Sequence, residues 1–168
     1  MHYLGKFFAL TSLFLFVSCA GYVPLYENYE YNNIQMRNMH IMSDKKKVTD
    51  NLKKELLKSI KKSDEVNYIL KLETTSNTKG TVSDIDRRIT EYEIEISVIA
   101  ELYERLNYDK LIFSLEDKQI APYNLSSGEV LSTLASRNKA EALTIKLLAQ
   151  SIFEGLTLFF KSNKKNAS

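Results

Sequence analysis

The sequence predicts an α+β two-layer sandwich, in which two helices pack on one face of a four-stranded, mostly antiparallel sheet in the order β-α-β-β-β-α. Three observations lead to this fold. A strand-like stretch precedes an amphipathic helix pattern, three alternating polar and apolar stretches follow it, and a long helix pattern closes the chain. Clean alternation indicates a sheet with one apolar and one wet face. Each amphipathic helix must bury its apolar side against another element. The one apolar face of the sheet is therefore expected to be covered by both helices.

Each element has its own pattern. Residues 34–42 are apolar enough for the first strand. The first helix is predicted over residues 48–62 and is closed by Ser63 and Asp64. Lysines occupy its polar face and last turn, and its apolar positions recur at spacings of three and four: Val48, Leu52, Leu56, Leu57 and Ile60. Period-two alternation predicts the other strands over residues 66–73, 91–102 and 110–116, with a hairpin turn at residues 107–110.

The closing helix is predicted to begin after Glu129, since Ser126 and Glu129 have the spacing of a capping box. Its apolar positions continue over about thirty residues, with a weak point near residues 137–138. Residues 161–168 are polar and are predicted to form a flexible tail, so the folded domain is expected to span residues 34–160.

The first residues predict a signal peptide. Lys6 precedes eleven residues, 7–17, that are almost wholly apolar, whereas a membrane-spanning helix needs about 20. Cys19, the one cysteine of the chain, follows directly and resembles the lipid-attachment cysteine of bacterial lipoproteins. We therefore expect cleavage of residues 1–18 and a lipidated tether over residues 19–33. The alternative is a free or buried cysteine within an ordinary signal peptide.

The remaining residues do not suggest catalysis. After cleavage His40 is the single histidine, and no glycine-rich phosphate loop or metal-spaced cysteine and histidine set is present. We therefore predict a protein that is not an enzyme and holds no metal or cofactor. Cleavage also removes one lysine, leaving 22 basic and 21 acidic residues. That near-neutral balance argues against nucleic-acid binding.

Two neighbouring arginines are the best candidates for binding an anion. Arg87 and Arg88 are two of only five arginines in the chain, and a guanidinium group binds phosphate and carboxylate with two hydrogen bonds. Their partner is either an anionic lipid head group or the nearby carboxylates of Asp84 and Asp86. A catalytic role for these two aspartates is a third and weaker interpretation.

Several segments resemble the lipopolysaccharide-assembly lipoprotein LptE family. Residues 19–26 (CAGYVPLY) resemble the family's Cys-Gly-aromatic-Arg-Pro-Leu-Tyr start, although Ala20 is inserted and Val23 replaces the arginine. Residues 48–57 are similar to its first helix, residues 83–96 (SDIDRRITEYEIEI) to its second hairpin, and residues 133–156 to its closing helix. The matches lie in the same order over nearly the whole mature chain, and the family fold is the sandwich predicted above.

The resemblance implies a non-catalytic function. Family members plug the lumen of the large outer-membrane β-barrel LptD, and the pair inserts lipopolysaccharide into the outer leaflet. By position, Arg87, Arg88 and, after the last strand, Lys118 would bind lipopolysaccharide. Ala20, in place of the aspartate that marks inner-membrane retention, favours the periplasmic side of the outer membrane. The main alternative is a lipoprotein accessory of a periplasmic phospholipid-transport system.

Overall fold

The computed structural model describes residues 38–60, 65–82, 89–124 and 129–166. These ranges contain four strands and two helices in the predicted order: β1 (Met39–Ser43), α1 (Lys47–Ser59), β2 (Tyr68–Val82), β3 (Ile89–Glu104), β4 (Asn107–Asn124) and α2 (Val130–Asn166). The strands form one sheet in the order β1-β2-β3-β4. The predicted α+β fold class is therefore confirmed.

The pairing of the strands follows from the lengths of their connections. β1 and β2 are parallel, with Ile41 opposite Leu70, and α1 supplies the crossover that a parallel pair requires. β2–β3 and β3–β4 are antiparallel neighbours. The turn between β3 and β4 consists of Arg105 and Leu106, with Glu104 opposite Asn107. The sheet is thus mixed, with β3 at the centre of its antiparallel part.

The hydrophobic core lies between the helices and one face of the sheet, which we call the helix-covered face. β3 places five fully buried side chains on it, all 0% exposed: Ile94, Ile96, Val98, Ala100 and Leu102. α1 packs on β1 and β2, α2 packs on β3 and β4, and the helices also contact each other. From the helices, the fully buried apolar side chains are Leu52 and Leu56 of α1 and Leu148, Ile152 and Leu156 of α2.

α2 approaches β4 closely at Gly155. A Cβ atom added there would lie 3.2 Å from the ring of Phe113, so a larger residue would push the helix away from the strand. Aromatic contacts close the same end of the core. The ring centroids of Phe113 and Phe159 are 5.3 Å apart, and those of Tyr68 and Phe160 are 5.2 Å apart.

The connection from β1 to α1 is held by a local polar network. The Asp44 carboxylate accepts a hydrogen bond of 3.1 Å from the Lys46 backbone N–H and lies 2.8 Å from the Lys46 ammonium group. Lys45 between them has a φ of 64°, a left-handed conformation that non-glycine residues seldom adopt. The Ser43 hydroxyl donates to Asp50 over 2.7 Å. These bonds fix the angle at which the chain leaves the strand and enters the helix.

Polar contacts also join the start of α1 to the middle of β2. The hydroxyl groups of Thr49 and Thr74, both buried, form a hydrogen bond of 2.7 Å. The Lys46 ammonium group donates to the Thr74 backbone carbonyl over 2.8 Å. The buried hydroxyls therefore satisfy each other, which avoids the cost of an unpaired polar group in the core.

The strands are longer than predicted. β2, β3 and β4 contain 15, 16 and 18 residues, because β2 continues past residue 73 and β4 past residue 116. On the helix-covered face, these extensions carry Ser76 and Thr78 in β2 and Asp117 and Gln119 in β4, opposite β3 residues. These polar side chains interrupt the apolar alternation, although the backbone pairing continues. The turn predicted at residues 107–110 was also wrong, since β4 begins at Asn107.

The ends of the other elements differ by smaller amounts. β1 begins at Met39, and residues 34–37 of the predicted strand lie outside the described residues. α2 contains 37 residues and runs unbroken through the weak point predicted near residues 137–138. It ends at Asn166, beyond the boundary predicted at residue 160. Ser126 of the predicted capping box lies outside the described residues.

Replacement of Leu72 by alanine is expected to lower the free energy of unfolding by about 3 kcal/mol. Leu72 is fully buried opposite Ala100, and truncation of a buried leucine removes apolar contacts and leaves a cavity. Chemical denaturation measures the change. The control is Ile99→Ala on the uncovered side of β3, where 43% exposure predicts a loss below about 1 kcal/mol. Equal losses for both variants would contradict the assignment of the two faces.

Asp44 predicts a pH dependence of stability. Burial alone would raise the pKa of Asp44, but hydrogen bonds from Lys46 and Thr49 and the Lys46 charge outweigh it and lower the pKa to about 2. A depressed folded-state pKa stabilises the fold above the unfolded value of 3.8, and this stability is lost as the pH falls toward 2.

Asp44→Asn should therefore cost about 1 kcal/mol at pH 6, a value reduced for solvent screening, and progressively less between pH 4 and pH 2. Urea unfolding at several pH values measures the difference. An equal loss of unfolding free energy at pH 2 and pH 6 would contradict this prediction.

Candidate functional site

The side of the sheet that faces away from both helices, called the open face below, is left uncovered by the described elements. Residues of β3 with odd numbers lie on it, since those with even numbers from Ile94 to Leu102 are buried under the helices. Each row across the sheet combines neighbours from adjacent strands. One such row contains Glu73, Ile99 and Glu116. The predicted wet side of the sheet, with Glu91, Glu93 and Glu95, is therefore this face.

The open face is acidic and partly neutralised by its own lysines. Six glutamates and three lysines share it: Glu73, Glu91, Glu93, Glu95, Glu101 and Glu116 with Lys71, Lys79 and Lys118. Lys71 forms an ion pair of 2.6 Å with Glu73, whose hydrogen bond and charge raise the pKa of Lys71. The Tyr103 hydroxyl donates to Glu101 over 2.9 Å, and this hydrogen bond raises the pKa of Tyr103. The excess of three negative charges favours a partner with positive charge.

Lys118 does not lie after the last strand, as the sequence predicted, but within β4 and opposite Ser97. Its ammonium group is 3.7 Å from a carboxylate oxygen of Glu95. This correction follows from the length of β4, which continues through the polar residues 117–119. On the open face, Lys118 is thus surrounded by acidic neighbours, a poor setting for holding a phosphate group.

Lys79 is a basic residue that the sequence interpretation missed. Its ammonium group lies 3.6 Å from the same Glu95 oxygen, so two lysines share one carboxylate whose side chain is 22% exposed. Lys79 was missed because β2 was predicted to end at residue 73. The length of β3 could have indicated a longer β2, because a long central strand needs pairing partners of matching length.

The structure separates Lys118 from the end of the β2–β3 hairpin. Ile89, the first described residue after the hairpin connection, lies eight residues along β3 from Ser97, which is about 26 Å at the rise of a β-strand. Arg87, Arg88, Asp84 and Asp86 lie in this connection, outside the described residues. The predicted lipid-attachment residue Cys19 lies outside them as well.

Apolar side chains are distributed over the open face among the charges. Four of them are about half exposed: Met42 at 49%, Ile99 at 43%, Leu111 at 46% and Ile120 at 48%. Exposed apolar side chains on a sheet face offer area that another protein can cover, whereas small-molecule sites are concave. The open face is therefore suited to contact with another protein.

Other site types find less support in the described part of the chain. No group of three or more histidine, cysteine, aspartate or glutamate residues there could hold a metal ion. His40 lies exposed in β1. By length and hydropathy, Val130–Asn163 of α2 would also fit a membrane-spanning helix. Leu148, Ile152 and Leu156 of this helix are fully buried in the core, whereas Leu131, Leu143 and Leu158 are among its exposed apolar side chains.

Comparisons with solved structures identify proteins of the same fold. A candidate lipoprotein from Caulobacter crescentus has a TM-score of 0.67 at 12% identity, over 79% of this chain and 97% of that chain. A minor lipoprotein from Acinetobacter baumannii has a TM-score of 0.59 at 18% identity, over 71% and 90%. An uncharacterised lipoprotein B from Nitrosomonas europaea has a TM-score of 0.54 at 15% identity, over 76% and 86%.

No family model and no curated protein matches the sequence. The three structures are each less than 25% identical in sequence to this chain, so their similarity is evidence for the fold alone. Each covers at least 71% of this chain and at least 86% of the other chain, so the likeness is not confined to one motif. The chain therefore shares the fold of proteins described as bacterial lipoproteins.

Proposed function

We propose that this protein is a lipid-anchored outer-membrane lipoprotein that binds the β-barrel LptD and acts with it, without catalysis, in lipopolysaccharide assembly. The observation that carries the proposal is the open face. Both described helices are used on the opposite side, which leaves one face of a four-stranded sheet for a protein partner. Half-exposed apolar side chains on that face give such a partner area to bury.

The geometry suits the interior of a barrel. The walls of large barrels present polar side chains to the lumen, and a lumen of that size is wide enough to hold a folded domain. The open face offers paired charges, such as Lys71 with Glu73, beside apolar residues such as Ile99. The surplus glutamates of this face would need basic side chains on the wall of the lumen as partners, since burying an unpaired charge is costly.

The N-terminal sequence supports the membrane location. Cys19 follows an apolar segment of eleven residues, and the expected lipid on it would hold the domain beside the membrane. Several acyl chains together give stable anchoring, whereas one chain gives marginal binding. The fold shared with bacterial lipoproteins is compatible with this anchor.

Charge placed on the open face should disrupt binding of the barrel. The double variant Ile99→Asp, Ile120→Asp adds two unpaired carboxylates to side chains that are 43% and 48% exposed. Burying them against a partner should reduce the amount of barrel recovered with the tagged protein by at least about tenfold. Affinity purification from detergent-solubilised membranes, followed by mass spectrometry, measures the recovery.

The matched control places the same charges on the exposed side of α2. Leu143→Asp with Leu158→Asp changes side chains that are 52% and 53% exposed and should leave recovery within about twofold of the unmodified protein. Recovery of an inner-membrane transporter in place of a barrel would contradict the proposal and support a role in phospholipid transport.

The arginines of the hairpin connection are proposed to bind lipopolysaccharide phosphates. Arg87→Glu with Arg88→Glu should weaken binding of purified lipopolysaccharide at least tenfold, because two bidentate donors become repulsive charges. Lys118→Glu should change binding less than about threefold, since Lys118 already lies beside Glu95. Binding assays at two salt concentrations measure both effects. Unchanged binding in the arginine variant would count decisively against this assignment.

A further inference from the structure

A groove of about 430 Å³ runs between α1 and α2, on the side of the molecule away from the open face. Its α1 wall contains Glu55 together with four residues at spacings of four, three and four: Lys47, Asn51, Lys54 and Lys58. These spacings place all four side chains on one face of the helix. Ala142 and Ile145 of α2 supply apolar surface to the groove.

The polar side chains in this groove have few partners. Lys58 forms an ion pair with Glu55, which neutralises that cation. Within the described residues, Lys47 and Lys54 form no ion pair or side-chain hydrogen bond, and neither do Asn51 and Asn138. Elsewhere in the described chain, lysines on β2 and β4 are paired with glutamates. Two unpaired cations and two unpaired amides thus line the same groove.

We propose that this groove binds a phosphate group through Lys47, Asn51 and Lys54 on one wall and Asn138 on the other. Asn51 follows Lys47 by four residues and precedes Lys54 by three, so both ammonium groups can reach an anion centred over the Asn51 amide. The lysines are two turns apart, about 10 Å along the helix. They therefore contact such an anion from opposite sides.

The ligand class follows from the lining. Lysine binds phosphate as a compact charge, the asparagine amides add hydrogen-bond donors, and the apolar surface of Ala142 and Ile145 accommodates a short carbon chain. A phosphate ester with an attached glycerol or sugar fits this combination in size and polarity. Its source is either a lipid head group or a soluble phosphate ester. The proposed site is independent of barrel binding and uses neither Arg87 nor Arg88.

Glu141 is expected to weaken the binding of an anion in this groove. Its carboxylate lines the α2 wall and forms no ion pair with the groove lysines, so it repels an incoming anion. Removing this charge while keeping the shape of the side chain should therefore strengthen binding. A site that gained nothing from Glu141→Gln would not lie in this groove.

The test compares three full-length variants. Lys47→Gln with Lys54→Gln should weaken phosphate-ester binding about tenfold, as expected for two exposed charge contacts. Lys53→Gln with Lys146→Gln removes the same number of charges, one from each helix, outside the groove lining, and should change binding less than twofold. Glu141→Gln should strengthen binding about twofold to threefold. Circular dichroism checks that each variant is folded.

Two probes distinguish the sources. The first is glycerol phosphate, titrated while amide NMR shifts of Asn51 and Asn138 are followed. The second is a set of phosphatidylglycerol vesicles, compared with phosphatidylcholine vesicles by co-sedimentation. Groove-dependent binding of both probes supports recognition of the phosphate ester, and binding of the vesicles alone supports a lipid source. Equal losses in the two lysine double variants, or no binding of either probe, would overturn the proposal. Barrel recovery should remain unchanged in all three variants, which separates this site from the proposed function.

Discussion

The apolar row on the helix-covered face of β3 is the constraint around which the described structure is arranged. Five consecutive inward positions, from Ile94 to Leu102, are fully excluded from water on the central strand of the antiparallel part of the sheet. Covering them takes both helices, because α1 reaches β1 and β2 whereas α2 reaches β3 and β4. Burial of apolar side chains is the main stabilising term in folding. Because both helices cover this apolar row, neither helix covers the opposite face of the sheet.

Because both helices lie on one side of the sheet, the molecule has two surfaces of different chemistry. The open face carries excess glutamate, with Glu95 shared by Lys79 and Lys118. The helix layer carries the lysines of α1, of which Lys47, Lys53 and Lys54 are unpaired within the described residues. Opposite charges on opposite sides suit different partners and orient the molecule between them. A protein on the acidic face and a phosphate ester on the basic side can therefore be bound at the same time.

The structural likenesses show how little sequence this architecture requires. Identities of 12% and 18% accompany TM-scores of 0.67 and 0.59. A burial pattern of alternating strand positions and two amphipathic helices is compatible with many sequences, because apolar residues of similar volume replace one another in a core. The side chains that determine a partner lie outside that pattern, on the open face and in the interhelical groove. A shared fold therefore leaves the function to be argued from those surfaces.

The sequence by itself determined the order of the elements and the side of each that is buried, since period two and period 3.6 report local geometry. It predicted the first residue of α1 to within one position and the wet side of β3 correctly, whereas α1 ends at Ser59, before the predicted end at residue 62. It did not reveal the full length of β2 and β4, because their polar extensions pair with β3 through backbone hydrogen bonds that leave no apolar pattern. Lys118 was consequently misplaced and Lys79 missed. The interhelical groove lay beyond sequence reasoning too, since which lysines face α2 depends on how two distant helices pack together. Pairing and packing between remote segments are properties of the tertiary structure, and they determine which of the polar residues form a site.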